Sequence, residues 1–399
     1  MSGSSLDGVD LAYCHFIHLP HKWSYRIIRA ETIPYPDPLL QRLSLPREYD
    51  QESIRKVDAE LGRFYAGLIV SFHNRHRLHP ELVASHGHTL LHEPEKGITV
   101  QAGSGEIMAR NTGLTVVSDF RKADVAQGGQ GAPLVPVGDR LLFGNYGGCL
   151  NLGGIANISY DDEKGRRIAF DICPVNMALN WLAGKKGKEF DKGGDMARRG
   201  TVNPGLLDSL NRLDYYRNPP PKSLGREWFT VHFLPLLKNS TLETDDLMAT
   251  ATEHICIQIS ASLAGSGITS VLVTGGGALN EFLIEKLHQY TKIPLEIPGS
   301  LLVQYKEALI FALLGVLRLR SEINVFASVT GLTYGFYTGA FKNDADVMNG
   351  MGESMKTLAS YIVLVFFAAQ FVEYFKWSNL GLILAIKGAG FLSATNMGL

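Results

Sequence analysis

One carboxylate and three bare-backbone turns are the features of this chain best suited to chemistry. Asp171 follows Ile168-Ala169-Phe170, and Pro174 after it sits where a helix start tolerates a missing N–H. Upstream, Gly153-Gly154 joins Leu150-Asn151-Leu152 to a polar strand, Ile155 to Tyr160. Paired glycines admit an oxyanion to the backbone N–H groups with no side chain in the way. Turn and carboxylate share a short meander, close enough for one cleft in which Asp171 works as a general base. The plainer reading of the same letters is a tight hairpin and a helix-capping aspartate.

Two further turns weigh against that plainer reading. The chain opens on Ser2-Gly3-Ser4-Ser5, runs to Asp7-Gly8-Val9-Asp10 and enters an alternating strand to Phe16. A β-turn-β phosphate loop needs a strand on both sides, and the first of these is absent here. Further on, Ser270 to Thr274 leads into Gly275-Gly276-Gly277, then Ala278-Leu279-Asn280 and a helix through Leu287. Strand, glycines and helix start make an anion- or nucleotide-binding corner. A Rossmann unit is the alternative, with Glu296 near the ribose-binding spacing, but Asn280 holds the third glycine position and no second unit follows. Three such turns hold one nucleotide most economically when they come from two domains facing a cleft.

Several polar residues stand beside these turns. The buried strand Leu82-Val83-Ala84 ends in Ser85-His86-Gly87-His88-Thr89, and alternation puts His86 and His88 on one face. With His92 they suggest a metal, yet no local Cys or Asp completes a zinc set, so they read as hydrogen-bonding histidines beside a ligand. Arg121, after Val116 to Phe120, offers a planar fork to a carboxylate or phosphate, and equally a salt bridge to Asp119 or Asp124. Glu307 opens the apolar run Ala308 to Leu319, where its charge suits a helix N-terminus. The stretch Pro219-Pro220-Pro221-Lys222-Ser223, followed by Gly225 and Arg226, reads as a substrate lip or as a linker. Helical spacing runs from Asp50 to Asn74 and from Leu247 to Ala264.

Composition bounds the class. A chain of 399 residues with 45% apolar content buries two or three domain cores, and 42 glycines concentrated in turns suit an α/β enzyme. A net charge of −1 supplies no field for nucleic acid. Four scattered cysteines without zinc spacing fit reduced thiols in the cytoplasm, and the first residues lack the basic flank and apolar core of a signal peptide.

Taken in order, Met1 to Asp10, Ser85 to Thr89, Asp119-Phe120-Arg121, Gly128 to Pro136, Asn151 to Ile158, Pro221 to Phe229 and Thr274 to Gly277 resemble the anhydro-N-acetylmuramic acid kinase family over about residues 1–331. The resemblance implies a two-domain α/β, actin-like sugar-kinase fold of ribonuclease-H-like halves with an interdomain cleft. It places domain I at 1–128 and 308–331, lacking its first strand, and domain II at 129–307. It implies opening of the 1,6-anhydro ring by water with phosphorylation of O6, in peptidoglycan recycling. Gly3, Ser4, Ser5, Leu6, Asp7, Gly8, Val9 and Asp10 would hold ATP phosphates, Gly153 and Gly154 a second phosphate face, and Gly275, Gly276 and Gly277 the adenosine side. Asp171 matches the general base, while His86, Thr89, Arg121 and Glu307 would line the sugar pocket. ATP implies Mg²⁺. Where many members have Thr-Gly-Pro-Gly-Asn after the aspartate, this chain has Ile172-Cys173-Pro174-Val175-Asn176.

Beyond Gly331 the material changes. Leu332 to Gly390 resembles an internal piece of the p-aminobenzoyl-glutamate transporter family, with Phe366 to Phe371 and Trp377 to Gly381 as its marks. Residues 332–399 thus read as a hydrophobic helical appendage lacking the many helices transport needs. Membrane association is expected only through 361–392, and a homodimer is the assembly considered. Two other functions stay open at this point: a catalytically impaired nucleotide- or sugar-binding module of the same fold, and a membrane-associated fusion remnant.

Overall fold

The computed structural model describes residues 1–2, 8–20, 22–44, 50–93, 98–126, 131–220 and 222–322. The chain divides into two compact units, Met1–Ala327 and Ser328–Leu399. The second, with the expected helical appendage at 332–399, lies outside the described residues.

The C-terminal lobe is built on one mixed sheet. The hairpin of β7 (Gly148–Leu152) and β8 (Ile155–Asp161) continues into β9 (Arg167–Pro174), and β10 (Val271–Thr274) lies parallel to β7 with β11 (Leu295–Glu296) outside it, giving the order β11-β10-β7-β8-β9. Alternation decides which side chains face which layer. Leu150, Leu152, Val271 and Val273 enter one apolar core, and Cys149 and Leu272 enter another on the opposite face. The first core is closed by α6 (Asn176–Gly184), α7 (Asp195–Arg199), α8 (Pro204–Asn211), α11 (Thr244–Leu263) and α12 (Glu281–Tyr290). The loop-rich stretch also carries α9 (Arg226–Trp228), which runs through a π-helical segment into α10 (Leu234–Lys238). Asn280, where a dinucleotide fold would have its third glycine, caps α12 by accepting from Leu283 N at 3.0 Å.

The N-terminal lobe pairs its strands two by two. β1 (Val9–Leu19) and β2 (Lys22–Ile33) form an antiparallel hairpin, β3 (Leu82–Ala84) runs parallel to β6 (Thr115–Val117), and β4 (His88–Glu93) pairs with β5 (Ile98–Ala102). Met1 and Ser2 supply a stub of pairing before β1: Asp10 N donates to Met1 O, the terminal ammonium donates to Asp10 O, both at 2.8 Å, and Ser2 bridges Val9. The helix expected over Asp50 to Asn74 is α2 (Gln51–His76), capped by Asp50 at Ser53 N and packed with α1 (Asp37–Ser44) and α3 (Gly105–Thr112). Short α4 (Phe120–Ala126) follows β6.

Two helices lie between these layers. α5 (Val135–Phe143) and α13 (Ser300–Leu319) share a core with Trp23 on one side and with Cys149 and Leu272 of the C-terminal sheet on the other. They cross so closely that a Cβ on Gly138 would fall 2.5 Å from Ile310 Cγ2. A buried ion pair joins them, Lys306 Nζ to Asp139 Oδ1 at 2.9 Å, and Ser159 Oγ donates to Asp139 Oδ2 at 2.5 Å. The Lys306 contact has the distance of an ion pair without good hydrogen-bond geometry, so charge rather than directionality holds it. Burial alone would lower the Lys306 pKa; the Asp139 carboxylate reverses this and the net shift is upward. By length and composition α13 could cross a membrane, yet 61% of its apolar window is buried inside the protein, as befits a core helix.

Candidate active site

Asp171 lies within β9, opposite Asn157 of β8, and does not cap a helix. Pro174 ends the strand, and α6 begins two residues later behind Val175, which makes no side-chain cap. The Asp171 carboxylate is half-buried and accepts two hydrogen bonds on the same oxygen, from Ser223 Oγ at 2.9 Å and Leu224 N at 2.8 Å to Oδ2. Its backbone is held as well: Asp171 N donates to Lys222 O at 3.0 Å, and Tyr215 OH donates to Asp171 O at 2.5 Å. Burial pushes the carboxyl pKa above its ordinary value, against the pull of the Leu224 and Ser223 donors.

The glycine turns gather beside this strand. Gly154 O accepts from Val175 N at 2.9 Å and Met177 N at 3.1 Å, Gly153 O accepts from Asn176 N at 3.2 Å, and Asn176 Nδ2 donates to Leu152 O at 3.1 Å. The first turn of α6 is thus docked on the β7–β8 turn. Gly275 takes φ +84°, and a Cβ there would meet Asn151 Oδ1 at 2.5 Å; one on Gly277 would meet Leu152 Cβ at 2.8 Å. Those two glycines are required by the packing of one turn on the other. At Gly276 the nearest atom to an added Cβ is Asn176 Nδ2 at 3.5 Å, so this residue keeps backbone available to a ligand. Thr274 Oγ1, buried just before the turn, has no hydrogen-bond partner. Glu296, the residue at ribose-binding spacing, accepts from Tyr146 OH at 2.8 Å.

A second group of polar residues collects in the N-terminal lobe. Arg121 Nε donates to His86 Nε2 at 2.8 Å, which makes Nδ1 the protonated nitrogen, donating to Gly87 O at 3.0 Å. Burial first, and then the Arg121 charge, lower the His86 pKa to about 3, so this ring is neutral. Arg121 also donates through a terminal nitrogen to Gly131 O at 3.0 Å. Its own pKa is lowered by burial, while the charges of Glu307 first and Asp124 second favour its charged form. Glu307 is exposed to solvent, yet protein surrounds it on most sides and raises its pKa, against Arg121 and the terminal ammonium. It does not open a helix: α13 starts at Ser300 behind Gly299, because Val303 and Tyr305 already bury one face, and non-helical angles at Tyr305 mark a kink just before Lys306-Glu307.

The other expected residues fall around these groups. Gly3, Ser4, Ser5, Leu6 and Asp7 lie outside the described residues. Gly8 passes so near Ile33 O and Thr32 that a Cβ would fall 2.8 Å from each, and the Val9 side chain is in the core, so both offer backbone alone. Asp10 Oδ1 accepts from Thr32 Oγ1 at 2.6 Å, and its charge acts on Glu307. Thr89 sits in β4 opposite Gln101. His88 Nδ1 meets Ser2 Oγ at 2.9 Å and His92 Nδ1 meets Thr99 Oγ1 at 3.1 Å, so the three histidines have separate partners. A cavity of about 310 Å³ opens at Ser85, His86 and Gly87, with Asp58, Gln101 and Asp119 on its walls. A wider depression of about 590 Å³ between α1 and α2 lies among ion-paired surface residues, including Arg42 and Glu60, and brings no reactive group.

α13 links the two groups. Val303 O accepts from Gly275 N at 3.0 Å, and Glu307 stands four residues on, just past the kink at Tyr305. Sequence reasoning missed Ser223, Leu224, Tyr215 and Asn176; the motif around Ser223 was visible, but nothing local tied it to Asp171.

Strand ends cleared of side chains, an acid held next to them and a second lobe reached through buried crossing helices are the working parts of an actin-like, sugar-kinase-type α/β enzyme, and this chain has that fold. It belongs to the anhydro-N-acetylmuramic acid kinase family, whose family model matches residues 1–343. Curated anhydro-N-acetylmuramic acid kinases are similar across nearly their whole length: that of Pasteurella multocida is 34% identical over 87% of this chain and 97% of its own. That of Saccharophagus degradans is 33% identical over 83% and 94%. These relatives favour a kinase over an inactive binding module. A ROK hexokinase from Thermus thermophilus matches 77% of this chain and 99% of its own at 15% identity and a TM-score of 0.30, too slight a likeness to add to the family match. The AbgT transporter family model matches residues 297–399, overlapping the first at α13 and beyond.

Proposed function

We propose that this chain uses ATP and water to convert 1,6-anhydro-N-acetylmuramic acid to N-acetylmuramic acid 6-phosphate in peptidoglycan recycling, with Asp171 as general base. Water adds at C1, the C1–O6 bond breaks, O6 takes the phosphoryl group and the proton of water passes to Asp171. The observation that carries the assignment is the Asp171 carboxylate: half-buried, raised in pKa by burial, engaged through Oδ2 only, and beside two glycine turns. A base poised by desolvation contributes about 10²- to 10⁴-fold.

ATP supplies the phosphoryl group, with Mg²⁺ neutralising its charge. The residues fit an anionic nucleotide: Gly276 leaves backbone open, and Thr274 Oγ1 is an orphaned buried oxygen at the same corner. Mg²⁺ would be carried on the ATP phosphates rather than on a dedicated protein ligand set. Gly3 to Asp10 and Gly153-Gly154 complete the phosphate contacts in this reading. Arg121, its fork oriented by His86, and Glu307 hold the sugar with Thr89. Domain I is 1–128 with 308–331 and domain II is 129–307 in this reading, and the packing of α5 and α13 against both sides supports a close junction between them. Four free cysteines, three of them buried, support a cytoplasmic setting.

The test is Asp171→Asn. Turnover of ATP and anhydro-sugar to the 6-phosphate should fall at least about 10²-fold with nucleotide binding kept. Full turnover in that variant removes Asp171 from the mechanism.

A further inference from the structure

We propose that Ser223, together with the backbone N–H of Leu224, is the positioning device for Asp171, fixing which carboxylate oxygen faces the reacting water. The proposal rests on the reading of Asp171 as base. A carboxylate turns about a broad, two-fold terminal torsion, so a strand alone does not decide which oxygen is presented. Two donors on one oxygen do decide it. Ser223 Oγ at 2.9 Å and Leu224 N at 2.8 Å both reach Oδ2, which leaves the lone pairs of Oδ1 for a ligand or water.

The platform beneath is rigid. Lys222 O and Tyr215 OH hold the Asp171 backbone from two sides. The Lys222 ammonium lies 4.6 Å from the centre of the Tyr215 ring and donates to Tyr215 O at 3.3 Å, and Tyr215 packs on Trp228 at 5.3 Å between ring centres. Leu224 is buried and anchors the loop, whereas Ser223 is exposed. Its hydroxyl is therefore removable without a cavity, which separates orientation from folding. The stretch that reads in sequence as a lip or linker is a clamp on the base.

Removing the hydroxyl takes away one of the two bonds that lower the Asp171 pKa against burial, so the group becomes a weaker acid. In Ser223→Ala the acid limb of the kcat/KM profile should move to higher pH by about 0.5 to 1 unit. Well down the acid limb the loss should be roughly 3- to 10-fold, closing towards alkaline pH, with KM for ATP unchanged. Ser223→Thr should restore the parent profile. Carbon-13 titration of aspartate carboxyls, assigned with Asp171→Asn, reads the same shift without turnover. An unmoved limb and an unmoved carboxyl titration overturn the positioning role, as does a loss equal at every pH. Full activity of Asp171→Asn overturns both the base and the device, whereas an inactive Asp171→Asn beside an unshifted Ser223→Ala overturns the device alone.

Discussion

In the C-terminal lobe five strands share one sheet and β7 is paired on both edges, whereas among the described residues of the N-terminal lobe β1 pairs with β2 and with the short Met1–Ser2 stub, and β3 pairs only with β6. The two lobes therefore hold their functional groups by different means. Asp171 sits in a continuous backbone ladder whose register sets its position. Arg121 and Glu307 are held through side chains, a guanidinium on a neutral imidazole and a carboxylate on a kinked helix. What joins the N-terminal pairs is α13, which packs against β1, β2 and β3 and comes close enough that a Cβ on Gly315 would lie 2.7 Å from Ala84 Cβ. Where main-chain pairing is incomplete, one buried helix carries the cohesion and also the site residue.

That difference is broken most severely at the ion pair between α13 and α5. Lys306 and Asp139 are both nearly inaccessible, so Lys306→Met leaves a carboxylate buried without its counter-charge. The expected loss is about 3 to 5 kcal/mol in denaturant unfolding, and the double variant Lys306→Met with Asp139→Leu should recover much of it. A single variant within about 1 kcal/mol of the parent would show that the helices are held by apolar packing alone.

Elements with one dominant period were legible in the letters: α2 behind its Asp50 cap, the apolar strand β7 and the core helix α11 all lie where spacing puts them. Features made by distant residues were not. Asp171 could be singled out, but its anchor Ser223 is 52 residues away. Arg121 donates to His86, 35 residues earlier in the loop between β3 and β4, a partner that neither reading of the letters named. Glu307 looked like a helix start because the run after it is the more apolar, while the buried turn before it holds Gln304 among its apolar residues. Gly275 and Gly277 show a further limit, since a glycine needed for turn-on-turn packing reads the same as one needed for a ligand.

Hydrogen exchange sharpens the contrast between the sheets. Amides of β7 and β8, enclosed by paired neighbours and two cores, should exchange at least about 10²-fold more slowly than those of β3 and β6. Equal protection would mean that α13 couples the short N-terminal pairs into the same cooperative unit as the complete sheet.

The smallest effect compares buried histidines across the lobes. His86 and His88 in the N-terminal lobe are lowered to about 3 and about 4, and His254 in α11 to about 3, burial being the first cause in each. His254 is neutral in a network, its Nδ1 donating to Asn211 Oδ1 at 2.7 Å and its Nε2 accepting from Tyr216 OH at 3.0 Å. A folded-state pKa below the unfolded value near 6.5 means that the unfolded chain binds the proton first. Stability from these groups is complete above about pH 6.5 and is lost as pH falls towards 4, while Asp171 and Glu307, raised in the folded state, act in the opposite sense. Each histidine should cost about 1.4 kcal/mol at pH 5.5 relative to pH 7.5 in urea unfolding. His254→Gln should remove one such share, and His88→Gln another. If only His254→Gln flattens the curve, the N-terminal histidines open to solvent before global unfolding, and the weaker strand pairing of that lobe sets its acid stability.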